Sequence, residues 1–177
     1  ALSLLMAAAV AQTKGAPAAR AATEPAAVPP QTVKIAFVDP LSGPFAGIGS
    51  SLLKHFQLLA EVVSAQELAG PGVRFEIVPF DNKASPQESL TVLRQVVDRG
   101  IRYVTQGNSS AVALALSDAV NKHNERNPGK EILYLNYAAV DPDLTNAKCH
   151  FFHFRLDANS DMKMEALTTE LAKNQKI

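Results

Sequence analysis

Residues 101–120 read I-R-Y-V-T-Q-G-N-S-S-A-V-A-L-A-L-S-D-A-V, and they decide the fold class. A short apolar run at 101–105 is followed by a Gly-Asn pair, two serines, and a run of Ala, Val and Leu. Strand, tight turn and helix in that order form the first half of a βαβ unit. The stretch therefore predicts an α/β fold with polar groups at the carboxyl end of a strand.

The same alternation continues on both sides of this stretch. The predicted strands are 33–38, 74–80, 101–105, 132–136 and 151–155. The predicted helices begin at Ser50, after Ser85, at the serine pair, and at Asn159 or Ser160. Helical crossovers between short strands are right-handed and build parallel sheets. The sequence therefore predicts a parallel sheet flanked by helices on both faces.

Two of the predicted helices carry clear local signals. Leu52, Phe56, Leu59 and Val63 recur at the spacing of one helical face and predict an apolar stripe. The stretch 85–88, S-P-Q-E, combines an N-cap serine, a proline at the first helical position and a glutamate at the third, which predicts a capping box. We expect both helices to pack on the sheet.

The composition excludes several classes of protein. Hydrophobic residues make up 47% of the 177 residues and charged residues 19%, which is typical of a folded globular chain. Lys and Arg number 17 against 17 Asp and Glu, so charge gives no reason to expect a nucleic-acid or anionic-membrane partner. Cys149 is the single cysteine, which excludes an internal disulfide, and we expect its thiol to be buried or half-buried.

The amino end resembles a targeting segment. Residues 1–11 are apolar, too few to span a bilayer as a helix, and end in the small-residue step Ala-Val-Ala. Residues 12–31 are rich in Ala and Pro and cannot build a core. We interpret 1–31 as a truncated signal peptide and linker, with an Ala-rich amphipathic helix as the alternative for its apolar run. Secretion to the periplasm is the corresponding expectation.

The chain lacks the common catalytic motifs. It contains no G-x-S-x-G elbow, no G-x-x-x-x-G-K-[ST] loop and no H-E-x-x-H pair. His150 and His153 would point to opposite faces of a strand, which favours edge or loop-end histidines over a metal pair. Asp39 and Asp81 each follow a strand and are expected to brace loops rather than to act as acid and base. No catalytic residue, metal ligand or cofactor is predicted.

The serine pair allows two interpretations. Ser109 or Ser110 begins a helix whose first amides lack intrahelical acceptors, so a hydroxyl and a free N–H there can hold a carboxylate or phosphate. Serine is also a routine N-cap residue. Ligands of open α/β sheets bind beyond the carboxyl ends of strands, which favours ligand contact at this position.

Several ordered motifs resemble one known family. K-I-A-F-V-D-P-L-S-G-P-F-A-G-I-G at 34–49, V-P-F-D-N-K-A-S-P-Q-E-S at 78–89, the stretch 100–118 and L-N-Y-A-A-V-D-P-D-L-T at 135–145 carry the resemblance. Together they resemble the amino-terminal lobe of type I periplasmic binding proteins of branched-chain amino-acid ABC transporters. The resemblance implies a two-lobed protein that closes on its ligand about a hinge. Residues 32–157 would be an incomplete amino-terminal lobe, and 158–177 would begin the crossover to the second lobe.

The resemblance also implies a ligand site. The ligand-carboxylate serine falls on Ser110, with Ser109 beside it, and main-chain contacts fall on Ala138 and Val140. Val140 departs from the family pattern, which has Thr or Ser there to help hold a ligand ammonium group. An ammonium without a partner in a closed cleft costs on the order of 1–3 kcal/mol. An apolar or aromatic carboxylate therefore competes with an α-amino acid as the expected ligand.

Two further residues would shape the apolar end of that site, Ile48 from the first loop and Tyr137 through its ring. The function implied is an extracytoplasmic solute-binding protein, not an enzyme, that delivers a small carboxylate to an ABC permease. A ligand-sensing receptor or regulator of the same fold, uncoupled from transport, is the alternative. An α/β enzyme would need a catalytic constellation from outside this chain. No nucleic-acid partner and no stable membrane insertion are expected.

Overall fold

The computed structural model describes residues 29–173, so the predicted signal segment up to residue 28 lies outside the described residues. Within this range the strands are β1 Gln31–Asp39, β2 Val73–Asp81, β3 Tyr103–Gln106, β4 Leu133–Asn136 and β5 His153–Arg155. The helices are α1 Ala46–Ala65, α2 Pro86–Asp98, α3 Ser110–Arg126 and α4 Ser160–Lys173. Two 3-10 turns lie at Gly43–Phe45 and Pro142–Thr145. The predicted order of elements is confirmed.

The strands form one sheet in the order β2-β1-β3-β4-β5, and every neighbouring pair is parallel. The chain moves outward from β1 to β2 and then returns to place β3 on the other side of β1. The sheet therefore has its topological switch point between the carboxyl ends of β1 and β3. A 3-10 turn, and no α-helix, stands between β4 and β5.

The main core lies on one face of the sheet. Ala36 and Val38 of β1 are buried there with side chains of α2 and α3. Phe37, between them in the strand, points to the opposite face and contacts Phe56 of α1 at a ring-centroid distance of 5.4 Å. Helices therefore flank both faces, as predicted. The cover over the α1 face is partial, because Phe154 of β5 is 49% exposed.

Helix α1 differs from the prediction in two ways. It begins at Ala46 rather than Ser50, because the 3-10 turn before it runs directly into the helix through the Ala46 N–H bonded to the Gly43 carbonyl. Leu59, predicted to lie in the buried stripe, is 59% exposed. Ala60 and Ser64, which follow Leu59 in the helix, are buried instead, so the covered face of α1 is displaced from the predicted stripe.

The cap of α2 forms only half of the predicted box. The Ser85 hydroxyl accepts a hydrogen bond from the Glu88 amide at 3.4 Å, as an N-cap residue does. The Ser85 amide donates to the Asn82 carbonyl at 2.8 Å, which leaves no donor for the Glu88 carboxylate. That carboxylate instead lies 3.8 Å from the Lys83 ammonium.

Two residues near β5, Cys149 and His153, refine the predictions. Cys149 is exposed, so the prediction of a buried or half-buried thiol was wrong. His153 lies on the edge strand β5 but is buried, with its ring centroid 4.9 Å from that of Tyr134. Its Nδ1–H donates to the Leu144 carbonyl at 3.2 Å. The local 3-10 turn before β5 supplies the cover that a strand pattern does not reveal.

Candidate ligand-binding site

The amino end of α3 separates the roles of the two serines. Ser109 is the N-cap residue, because its hydroxyl accepts from the Val112 amide at 3.4 Å and its backbone is extended. Ser110 is the first helical residue, and its hydroxyl makes no capping bond. The two interpretations of the serine pair therefore apply to different residues. Ser109 caps the helix and Ser110 is free for another role.

Ser110 joins α3 to the loop after β4. Its Oγ accepts a hydrogen bond from the Asp141 amide at 3.3 Å. Close to this contact, the amides of Ser110, Ala111 and Val140 donate to no acceptor within residues 29–173. The Val140 carbonyl is occupied, since it accepts from the Ser160 amide at 2.9 Å. Unpaired N–H groups at a helix amino end, where the dipole is positive, suit a carboxylate.

Asn136, a residue that the sequence analysis missed, shapes the loop after β4. Its buried Oδ1 accepts from the amides of Ala138 at 3.2 Å and Ala139 at 2.7 Å, and its Nδ2 donates to the Ala139 carbonyl at 2.9 Å. The Ala138 carbonyl accepts no hydrogen bond from any described residue. The Ala138 amide is thus occupied while its carbonyl is available. An Asn at a strand end, with two alanines that begin two residues later, is the local signal, because Asn folds such turns through its side chain.

The loop after β3 touches the loop after β4 at Gly107. A Cβ at position 107 would lie 2.7 Å from the Ala138 amide nitrogen and 2.8 Å from the Tyr137 ring. The close approach is therefore possible only for glycine. The Tyr137 ring in turn stacks on Phe37 at 6.4 Å and contacts Phe56 at 5.2 Å. Tyr137 thus forms part of the hydrophobic layer beneath the loops.

Asp39 braces two of these loops, as predicted for it. Its side chain is fully buried, Oδ1 accepts from the Asn108 amide at 3.1 Å, and Oδ2 accepts from the Tyr137 hydroxyl. Burial raises the pKa of Asp39 to about 6, although the bonds from Tyr137, Asn108 and Gly107 act in the opposite direction. Burial and the Asp39 charge raise the pKa of Tyr137, so its hydroxyl stays protonated.

Asp81 and Arg155 also hold loops at this edge. Asp81 Oδ1 accepts from the amides of Leu41 and Lys83, each at 2.9 Å, which confirms its predicted bracing role. Arg155 donates to the Asp141 carbonyl at 3.0 Å and to the Thr145 hydroxyl at 2.8 Å. Arg155 therefore supports the loop that carries Val140 through its main chain.

Five of the six predicted site residues lie on two segments that meet at Gly107 and at the bond between Ser110 and Asp141: Ser109, Ser110, Tyr137, Ala138 and Val140. Ile48 lies in the first turn of α1, beyond the carboxyl end of β1, and is 56% exposed. It therefore lies at the same edge of the sheet as the other five.

Between residues 29 and 173 no group of three or more His, Cys, Asp or Glu side chains could hold a metal ion. In the same part of the chain no helix is both long and apolar enough to cross a membrane.

The chain forms a parallel α/β sheet with unpaired main-chain donors at the carboxyl edge of its strands, which is where ligands bind in folds of this class. The chain belongs to the periplasmic binding protein family, whose model matches residues 32–177. The family resemblance drawn from the sequence motifs is thereby confirmed.

Individual relatives agree with this assignment. A Leu/Ile/Val-binding protein homolog 4 of Brucella abortus (strain 2308) is 37% identical over 138 residues, which are 77% of this chain and 33% of the relative. The crystal structure of a leucine-, isoleucine-, valine-, threonine- and alanine-binding protein from Brucella ovis, in a closed conformation, is 38% identical with a TM-score of 0.63. It aligns with 73% of this chain and 33% of that one. The chain thus spans about a third of the length of these relatives.

A more distant structure supports the fold alone. The branched-chain amino acid transporter substrate-binding protein LivJ from Streptococcus pneumoniae, in complex with isoleucine, has a TM-score of 0.60 at 23% identity. The alignment covers 73% of this chain and 34% of that one. Type I periplasmic binding protein architecture is therefore shared well beyond the range of close sequence similarity.

Proposed function

We propose that this chain is the amino-terminal lobe of an extracytoplasmic solute-binding protein that delivers a small apolar carboxylate to an ABC transporter. Residues 32–157 form the lobe in this proposal, and 158–177 lead to a second lobe. The protein acts in the periplasm, binds without chemical conversion, and meets a permease of the transporter. Membership of the periplasmic binding protein family supports each of these points.

One observation carries the proposal for the site. Ser110 Oγ accepts from the Asp141 amide, while the amides of Ser110, Ala111 and Val140 have no acceptor in residues 29–173. A carboxylate accepts several hydrogen bonds, and donors at a helix amino end need no Lys or Arg to hold it. In this proposal Ser110 and Val140 bind the carboxylate, and the Ser109 cap holds the helix end in place.

The apolar end of the ligand lies toward Ile48 and Tyr137 in the same proposal. For the other polar end, the unpaired Ala138 carbonyl can accept from an ammonium group, which Val140 cannot do through its side chain. The Brucella ovis relative is named for binding leucine and other amino acids. Leucine-type amino acids are therefore the first ligands to test, with the deaminated acids as their competitors.

The test is a calorimetric titration of the full-length protein with leucine, 4-methylpentanoate and benzoate. Leucine and 4-methylpentanoate share the apolar group and the carboxylate and differ at the ammonium, so their ratio of affinities measures the ammonium contact. Saturable one-to-one binding of either one supports the proposal. Failure of all three to bind would contradict it.

Two controls separate binding from the alternatives. The ligand recovered after incubation and analysed by NMR should be unchanged, and a converted product would indicate an enzyme. Uptake of the labelled ligand by cells that lack the protein should fall, whereas an unchanged uptake with intact binding would indicate a sensor.

A further inference from the structure

Asp39 is the one fully buried carboxylate among the residues described, and it lies where three ligand-site loops meet. It ends β1 and so begins the loop that leads to Ile48. Its Oδ1 accepts from Asn108, two residues before Ser110, and its Oδ2 accepts from Tyr137, next to Ala138. The Asp39 side chain therefore contacts the segment that carries Ser110 and the segment that carries Ala138. Asp39 itself begins the segment that leads to Ile48.

These contacts bridge long intervals in the sequence. Asp39 lies 69 residues from Asn108 and 98 residues from Tyr137. The loops after β3 and β4 also touch each other at Gly107, but that contact is a close approach of backbone and ring. The carboxylate supplies directional hydrogen bonds that hold the two loops at one separation.

A buried carboxylate opposes folding unless its partners compensate for the loss of water. No Lys, Arg or His in the described part of the chain forms an ion pair or hydrogen bond with Asp39. Its partners are neutral donors. A charged group kept in such a place is therefore better explained by geometry at the site than by stability.

We propose that Asp39 is a positioning residue whose carboxylate sets the separation between Ser110 on α3 and the Val140 amide after β4. This inference rests on the proposed function, because the atoms it positions are the carboxylate-binding groups. Asp39 itself does not contact the ligand, since it is buried beneath the loops.

The surroundings of Asp39 indicate how pH acts on this role. Burial and then the charge of Asp39 raise the pKa of the Tyr134 and Tyr137 phenols, so both stay protonated. Asp81 is the register partner of Asp39 on β2, where bonds to Leu41 and Lys83 hold it. Protonation of Asp39 replaces an acceptor by a donor and weakens its bonds to the two loops. Ligand affinity should therefore fall below about pH 6.

The experiment compares two substitutions in the full-length protein, with leucine and 4-methylpentanoate as probes. Asp39→Ala removes both bonds and should lower the affinity at pH 7 by about tenfold or more. Asp39→Asn has one acceptor and one donor, like the protonated acid, so its affinity at pH 7 should fall by less than that of Asp39→Ala and should match the affinity of the wild type near pH 5. Asp118→Asn, an exposed carboxylate on α3, is the matched control and should bind as the wild type.

The pH profile distinguishes positioning from a general effect on folding. Between pH 7 and pH 5 the wild-type affinity should fall, while that of Asp39→Asn should stay level. Wild-type affinity in Asp39→Ala, equal losses in the Ala and Asn variants, or parallel pH profiles would each overturn the inference.

Hydrogen exchange in the absence of ligand tests the same bond independently of the proposed function. The Asn108 amide should exchange about tenfold faster or more in Asp39→Ala than in the wild type, since it loses its buried acceptor. Unchanged exchange would overturn the inference. Faster exchange in a protein that binds neither probe would support the positioning role and reject the proposed ligand class.

Discussion

The Ser110 hydroxyl accepts a hydrogen bond from the Asp141 amide at 3.3 Å, so its oxygen is engaged while its own proton remains available. A hydroxyl in that state can act as a donor, and the loop that carries Asp141 sets its orientation. It complements the unpaired amides of Ser110 and Val140, which are also donors. The local chemistry therefore selects an acceptor, which agrees with the carboxylate ligand proposed above.

Substitution of the two serines should separate binding from stability. Ser110→Ala removes a donor to a charged ligand and should weaken leucine or 4-methylpentanoate binding by about 10–100-fold. Ser109→Ala removes the cap of α3 and should lower the free energy of unfolding by about 1 kcal/mol, with a smaller effect on binding. Calorimetry and urea unfolding of both variants provide the measurements. The reverse assignment of the two effects would contradict the roles given to these residues.

Substitution of Gly107 should damage the site through packing. In Gly107→Ala the new Cβ would lie 2.7 Å from the Ala138 amide nitrogen, which should destabilise the protein by about 1–3 kcal/mol and weaken ligand binding. Gly47→Ala is the matched control, because nothing lies within 4 Å of a Cβ there and the position is helical. The control should be neutral or stabilising by up to about 1 kcal/mol. Similar unfolding midpoints for both variants would argue against the close approach.

Asp39 should make stability depend on pH in the acid range. Its pKa is raised by burial from 3.8 to about 6, so the folded state holds the proton more tightly than the unfolded state. Stability from this proton is present at low pH and is lost as the pH rises from about 4 to about 6. Asp39→Asn should therefore gain in free energy of unfolding over the wild type across that interval, on the order of 2–3 kcal/mol. Urea unfolding at several pH values tests this, and a constant difference would contradict it.

His153 should have the opposite dependence on pH. Burial lowers its pKa below the ordinary value of 6.5, so the unfolded state takes up a proton more readily. The wild type should lose stability as the pH falls below about 6.5. His153→Phe keeps a ring against Tyr134, should cost about 1 kcal/mol at pH 7 through the lost bond to Leu144, and should lose less on acidification.

The control for the comparison of the wild type with His153→Phe is substitution of the exposed His55 on α1 by Gln. Its acid sensitivity should match that of the wild type in thermal unfolding at pH 5 and pH 7. Equal acid sensitivity of His153→Phe and the wild type would contradict the buried neutral state of His153.

Much of the fold could be predicted because local patterns encode it. Proline, glycine and cap signals placed α2 and the start of α3, and alternation of strands with helices predicted a parallel sheet. Leu59 shows the limit of such patterns. A helical stripe states which residues share a face, but whether that face is covered depends on elements elsewhere in the chain.

The strand-end positions of the candidate site residues could be predicted, but the contacts between them could not. The strand-end position of Asp39 indicated a bracing role, yet its partners Asn108 and Tyr137 come from distant segments that only the folded sheet brings together. Asn136 was missed for a similar reason, because its bonds become important only once Ala138 is known to face the loop of Gly107.

The unpaired donors at this site belong to the main chain at Ser110, Ala111 and Val140. Main-chain amides persist through any substitution except proline, so mutation can alter neighbouring side chains without removing the anion contact. If these amides bind a carboxylate as proposed, descendants of such a protein can acquire ligands of different size and polarity in single steps, with each ligand still held by its carboxylate. The Ala and Val side chains at two of these positions place little constraint on that divergence of ligands.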